Sequence, residues 1–279
     1  MNKLRSAVWL AVVFSVGLGA GGFLRTLELP KALTDPTIER IWSSPPAKSP
    51  TGQTYTLATR GRSYFARDSS GNLIPEQSEG RRYYKVGEEE YTYQRTLNSA
   101  KTALVVMDPW EDSGSDFLNR YYAGIARDKL LPLVSKAIEL GMPVLVLTND
   151  PKKTPDAYGS KVFPELQAMA DKRALRVLYH QDFDGSRFAD YLRSQGVDTL
   201  IYSGFASNMC VIGRDLGMIP MAIKGFRMFF VPEASAAVEF KDSWHTGAVH
   251  QATTSLISQW VGELIDLRAF LGLKPGPLQ

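Results

Sequence analysis

The chain has 279 residues, 44% hydrophobic and 22% charged, with 32 Lys and Arg against 29 Asp and Glu for a formal net charge of +3. That composition excludes a disordered chain and leaves ample material for a buried core, as one large domain or one domain with appendages. So small a charge demands no nucleic-acid partner, no zinc-finger or RNA-binding motif is present, and the single cysteine, Cys210, excludes an internal disulfide or a cysteine-rich metal site.

Residues 1–25, "MNKLRSAVWLAVVFSVGLGAGGFLR", carry Lys3 and Arg5 and then no charge until Arg25. The run 6–24 is just long enough to span a bilayer as a helix, and the basic start favours a cytoplasmic N-terminus with an exported body. A cleaved signal peptide is the alternative, with Gly17, Gly19 and Ala20 small enough for processing. The expected location is therefore a membrane-anchored, extracytoplasmic domain, or a secreted one after cleavage. Residues 26–100 read as a linker ending in "SSPPAKSP", then a small antiparallel β element. Its signals are alternating Thr, Tyr and Phe around the turn "DSSGN". Arg60, Arg62, Arg67, Arg81, Arg82 and Lys85 make it basic: a solvated face, or a contact for anionic headgroups.

Residues 101–270 read differently. "TALVVMD" is a continuous apolar run, the mark of a strand covered on both faces. A helical stretch follows to Leu140, interrupted near Pro132 and stopped by Gly141. "PVLVLTND", "ALRVLYH", "DTLIYSG" and "FRMFFV" are four further strands. Between them lie a helix over 162–171, a capped amphipathic helix "GSRFADYLRSQG", and one running from Asn208 to Lys224 with a kink at Pro220. Residues 242–268 close the chain as a mostly helical segment. Strands alternating with helices predict an α/β fold with an open, mostly parallel sheet flanked by helices.

In such sheets, ligands bind outside the carboxyl ends of the strands. Asp108 closes the first strand, His180 the third, and Cys210 follows the fourth in the first turn of a helix. A lone Cys is commonly a small buried hydrophobe. A helix start, however, stabilises a thiolate and lowers its pKa, and Ser207 is placed to cap that helix. Asp108 is placed to take the thiol proton, a cation to hold the pair together, and backbone N–H groups of "FASNMC" to receive an oxyanion.

"ALVVMD" followed by "GFASNMCV" resembles the isochorismatase-like cysteine hydrolase family over roughly residues 100–265. The resemblance implies a Rossmann-like three-layer fold and hydrolysis of amide or related C–N bonds of a small molecule through a Cys thioester, without a cofactor. It implies Asp108 as acid and base, Cys210 as nucleophile, a cis peptide at Phe205–Ala206, and the N–H groups of Ala206 and Cys210 as oxyanion donors. Family members often form homo-oligomers, so the resemblance adds a second copy of the chain to the expected partners, beside the small-molecule substrate.

Three departures matter. The family lysine at the end of the third strand is absent, and His180 stands there, either a protonated substitute or a strand-end His bonded to a loop. "DPWEDSGSDF" places Trp110 and Glu111 where the family often has amides; Trp110 either walls a substrate pocket or packs. "NDPKK" lacks the Asp-x-His of metal-binding relatives, so no metal is expected at Asp150. His245 and His250 are read as structural or solvent-facing, and Asp112 and Asp116 as loop acids. The competing function is a catalytically degenerate binding or scaffold domain at a membrane, which kept the thiol and lost the lysine. A vinyl-ether hydrolase, which needs no Cys, is a third reading.

Overall fold

The structure is a computed structural model that describes residues 52–154 and 159–274, apart from 69–71, 79 and 88. The expected anchor or signal segment and the linker, residues 1–50, lie outside the described residues. Among the described residues no helix is long and apolar enough to cross a membrane.

Among the described residues ten strands form: β1 (Thr54–Arg62), β2 (Pro75–Ser78), β3 (Arg81–Tyr84), β4 (Glu90–Asn98), β5 (Thr102–Met107), β6 (Val144–Thr148), β7 (Arg176–Tyr179), β8 (Thr199–Phe205), β9 (Arg227–Ala236) and β10 (Glu263–Ile265). Eight make one sheet in the order β4-β1-β10-β9-β8-β5-β6-β7. β5 to β10 run parallel, while β1 is antiparallel to both β10 and β4. Helices α1 (Asp116–Ile125), α2 (Leu131–Glu139), α3 (Pro164–Asp171), α4 (Gly185–Ser194), α5 (Met218–Ile223), α6 (Ala248–Leu256) and α7 (Leu267–Leu271) complete it.

The apolar runs are explained by two covered faces. Leu104 and Val106 of β5 join a core with residues of α1, α2, α3 and α7. Their neighbours Ala103, Val105 and Met107 are equally buried and point to the other side. The parallel part of the sheet begins with β5, builds outward through β6 and β7, then returns to add β8 on the other side of β5. With right-handed crossovers, those two directions put helices on opposite faces. The β5/β8 boundary is thus the topological switch point, where an open sheet leaves a crevice.

In the β-rich stretch, β2 and β3 form their own antiparallel hairpin, while β1 pairs antiparallel with β4 and both extend the main sheet. Two expectations are corrected. The helix after Cys210 does not run on to Lys224. A π-type turn, Ser207–Val211, runs on through Gly213, and the helix then breaks over 214–217 before α5 begins. Pro220 lies in the first turn of α5, where a missing N–H costs nothing, so it kinks no helix. The closing segment is not mostly one helix, because β10 and α7 follow α6. Pro132 likewise opens α2 after a π-type segment, Ala126–Leu130.

Candidate active site

Asp108 is the first residue past β5, with φ 45, a left-handed conformation that short polar side chains tolerate best. Its N–H donates to Leu147 O, so the end of β6 fixes it. The side chain is 1% exposed. β8 must approach closely here. Gly204 has φ 110, and a Cβ on it would stand 2.1 Å from Met107 O, next to Asp108. The Phe205–Ala206 peptide is cis, as the family resemblance implies.

The two oxygens of Asp108 have different basic neighbours. His180, opening a short turn after β7, places Nε2 2.6 Å from Oδ1. A carboxylate only accepts, so Nε2 carries the hydrogen; Nδ1 is buried with no partner among the described residues. Arg214 places Nε 3.3 Å from Oδ2, an ion pair without hydrogen-bond alignment. Cys210 lies against Asp108 and Arg214 in the π-type turn, half-buried. The structure therefore brings Asp108, His180 and Cys210 to one edge.

The thiol does not behave as the sequence predicts. It is pushed up from its ordinary 9.0 to about 11: by burial first, then by the charge and hydrogen bond of Asp108, with Arg214 pulling the other way. The expected helix-start depression is outweighed because the neighbouring carboxylate is itself an anion in a poorly solvated place. The cap is also corrected. Ala206, not Ser207, is the N-cap and makes no side-chain bond. Ser207 Oγ instead donates to His250 Nδ1 at 2.8 Å, and His250 Nε2 donates to Pro232 O at 3.1 Å. Burial lowers the His250 pKa, in keeping with the neutral ring this pattern needs. His245 is exposed in a turn.

Ala206 O accepts from Met209 and Val211, the residues on either side of Cys210. Trp110 donates its indole N–H to Thr148 Oγ1 at 3.0 Å and covers Gly159, whose Cβ would fall 2.9 Å from the ring. Asp112 accepts from Gly114 N–H and Asn119; Asp116 sits in the first turn of α1. Asp150 accepts the Lys152 N–H and lies 3.9 Å from Lys153 Nζ. No group of three or more His, Cys, Asp or Glu among the described residues is placed to hold a metal ion. A solvent-open groove of about 520 Å³, lined in part by Arg60, Glu233 and His250, contains neither Asp108 nor Cys210.

Sequence reasoning missed three neighbours. Arg214 follows Cys210 by one helical turn and is joined to it by Arg214 N–H to Cys210 O, 3.3 Å; the i,i+4 spacing was the available signal. Asn149, past β6, accepts from Arg214 at 3.4 Å and donates to Gly159 O at 2.8 Å. Tyr122 of α1 stacks on Phe205, centroids 4.4 Å apart, and its hydroxyl is buried without a partner among the described residues. Burial raises its pKa, and Tyr121 and Cys210 add to the rise. Nothing in a helix pattern marks which tyrosine reaches a site set by other elements.

A mostly parallel sheet with Asp108, His180, Cys210 and Arg214 gathered at its switch point defines an α/β protein with a candidate active site there. Residues 102–267 match the model of the isochorismatase domain, and the chain belongs to the isochorismatase-like hydrolase family. Similar solved structures include the YcaC gene product of Escherichia coli, described as an octameric hydrolase of unknown specificity. It is 15% identical, with 63% of this chain and 79% of that one covered at a TM-score of 0.47. A cysteine hydrolase of Pseudomonas syringae pv. phaseolicola 1448A is 18% identical (63% and 92%, TM-score 0.47). The nicotinamidase SaPncA of Staphylococcus aureus is 13% identical (59% and 96%, TM-score 0.46). No curated protein matches the chain.

Proposed function

We propose that the protein hydrolyses an amide or related C–N bond of a small molecule through a Cys210 thioester. The observation that carries this is the buried Asp108 carboxylate at the switch point, whose charge acts on the half-buried Cys210 thiol and which His180 and Arg214 flank. A thiol held at about 11 is no free thiolate, so the proton leaves as the bond forms. Asp108 takes it while sulfur attacks the carbonyl carbon. The N–H groups of Ala206 and Cys210 receive the oxyanion, a contribution often worth about 3 kcal/mol per donor. The C–N bond then breaks, and the amine leaves with the proton from Asp108. Water attacks the thioester, giving one proton to Asp108, which returns it to the departing sulfur. His180 orients Asp108 through the 2.6 Å contact, and Trp110 walls the substrate side.

The raised thiol pKa favours one competing reading, a binding or scaffold domain with an inert thiol. We further propose that residues 6–24 tether the protein to a membrane with the domain exported; cell fractionation with sequencing of the mature N-terminus tests this. The enzyme reading is tested by exposing the protein to a panel of small primary and secondary amides and weighing it intact. An acyl adduct on Cys210 and turnover abolished in Cys210→Ser are expected. Turnover retained in Cys210→Ser would sink the thioester, and no adduct or turnover on any amide would leave the scaffold reading.

A further inference from the structure

We propose that Arg214 is the positive charge that holds the Asp108–Cys210 pair together, doing from the helix after β8 what the family lysine does from the end of β7. This rests on Cys210 being the nucleophile. His180 occupies the lysine's place in the sequence, but the geometry separates place from task. His180 reaches only the acid, through Oδ1. Arg214 faces Oδ2 at 3.3 Å, follows Cys210 by one turn on the same face, and its charge acts to lower the thiol pKa. It therefore bridges acid and thiol, where a cation can stabilise the negative charge on whichever atom carries it.

The position is built. Arg214 lies one turn after Cys210, which puts both side chains on one face. Its Nη1 donates to Asn149 Oδ1 at 3.4 Å, and Asn149 is tied by its Nδ2 to Gly159 O. The end of β6 and the loop beyond thus hold the guanidinium from the far side. The other ionisable groups facing the thiol and acid are Tyr122 from α1 and His180 after β7. Neither combines a standing charge with reach to the sulfur. A guanidinium does not deprotonate below about pH 12. Activity should therefore lack the neutral-pH decline expected of an enzyme whose cation is an imidazole.

The test needs no substrate: the rate of Cys210 alkylation by iodoacetamide in the folded protein, between pH 7 and 10. Loss of the charge in Arg214→Gln should slow alkylation roughly tenfold at fixed pH, and Arg214→Lys should recover most of it. Arg214→Gln leaves a buried carboxylate with less compensation, so folding is followed by thermal unfolding. The same comparison is made between Asp108→Asn and Asp108→Asn with Arg214→Gln, where no buried anion remains at residue 108. There Arg214→Gln should still slow alkylation, and His180→Gln should not. Equal rates for Arg214→Gln and Arg214→Lys, or a larger slowing from His180→Gln in the Asp108→Asn background, overturn the proposal. Either result leaves Cys210-dependent turnover untouched. Turnover in Cys210→Ser would instead remove the thioester reading while leaving the alkylation result standing.

Discussion

Asp108 shows how one side chain serves two opposed demands. Its charge makes it a base, and the same charge beside Cys210 raises the thiol pKa. Asp108→Asn keeps the shape and the tolerance for φ 45 but removes the anion. Alkylation of Cys210 should therefore become several-fold faster near neutral pH, while amide turnover falls by about a hundredfold or more. A slower alkylation in Asp108→Asn would show that Asp108 does not oppose the thiolate. Tyr122 carries a second prediction. Its buried hydroxyl lacks a partner among the described residues, so Tyr122→Phe should be neutral or stabilising by about 1 kcal/mol in urea unfolding. If substrate uses that hydroxyl, KM rises as stability holds; a loss of stability would mean that the hydroxyl is bonded in the folded protein. At this scale the sequence was readable where a residue ends a strand, as Asp108 and His180 do. It was not readable for Tyr122, Asn149 and Arg214, whose roles depend on which elements meet.

Elements were legible in proportion to burial. β5, β6 and β8 announce themselves as unbroken apolar runs because helices cover both faces. β10 is three residues long, pairs with β9 through Glu263 and Leu264 and with β1 through Leu264 and Ile265, and closely follows a helical segment, so no period marks it. The break after Cys210 was visible in Gly213 and Gly217, but Pro220 drew the boundary to the wrong place. Two sites test how these elements are joined. Gly204→Ala drives a methyl into Met107 O at a φ that alanine avoids, so it should cost about 3 kcal/mol or more and displace Asp108. Unfolding within 1 kcal/mol of the parent, roughly the error of such a comparison, would refute that close approach. At the start of α6, buried Glu239 accepts from Val249 N–H, His250 N–H and Ser243 Oγ. Burial opposes its ionisation, but those bonds win and hold its carboxyl below the ordinary 4.5. Its stabilisation is thus complete above that value and is lost as pH falls through the lower folded value. Glu239→Gln should lower the melting temperature at pH 7, with the difference from the parent shrinking below pH 4.5.

For the whole molecule, the family match begins at residue 102, yet the folded unit begins earlier. β1 covers the edge of β10, and β4 covers β1. Tyr55, Leu57 and Leu97 are buried in the same core as Ile265, Leu267 and Phe270, and Tyr55 donates to Leu140 O at 3.0 Å. Across β1, Arg95 of β4 grips Glu263 of β10 through two nitrogens, and Thr59 donates to the same carboxylate. Three buried side chains at about 1.5–3 kcal/mol each, with an open strand edge besides, approach the roughly 5–15 kcal/mol that holds a domain together. A chain beginning at Lys101 should therefore lose its cooperative unfolding transition or aggregate through the bared β10 edge, although it contains every proposed site residue. Glu263→Gln is the milder probe. It weakens the clip without opening the edge, and should cost about 1–2 kcal/mol with Cys210 alkylation unchanged. A chain from Lys101 that melts cooperatively at the parent temperature would show that the extension only decorates the sheet and that the fold ends where the family match does.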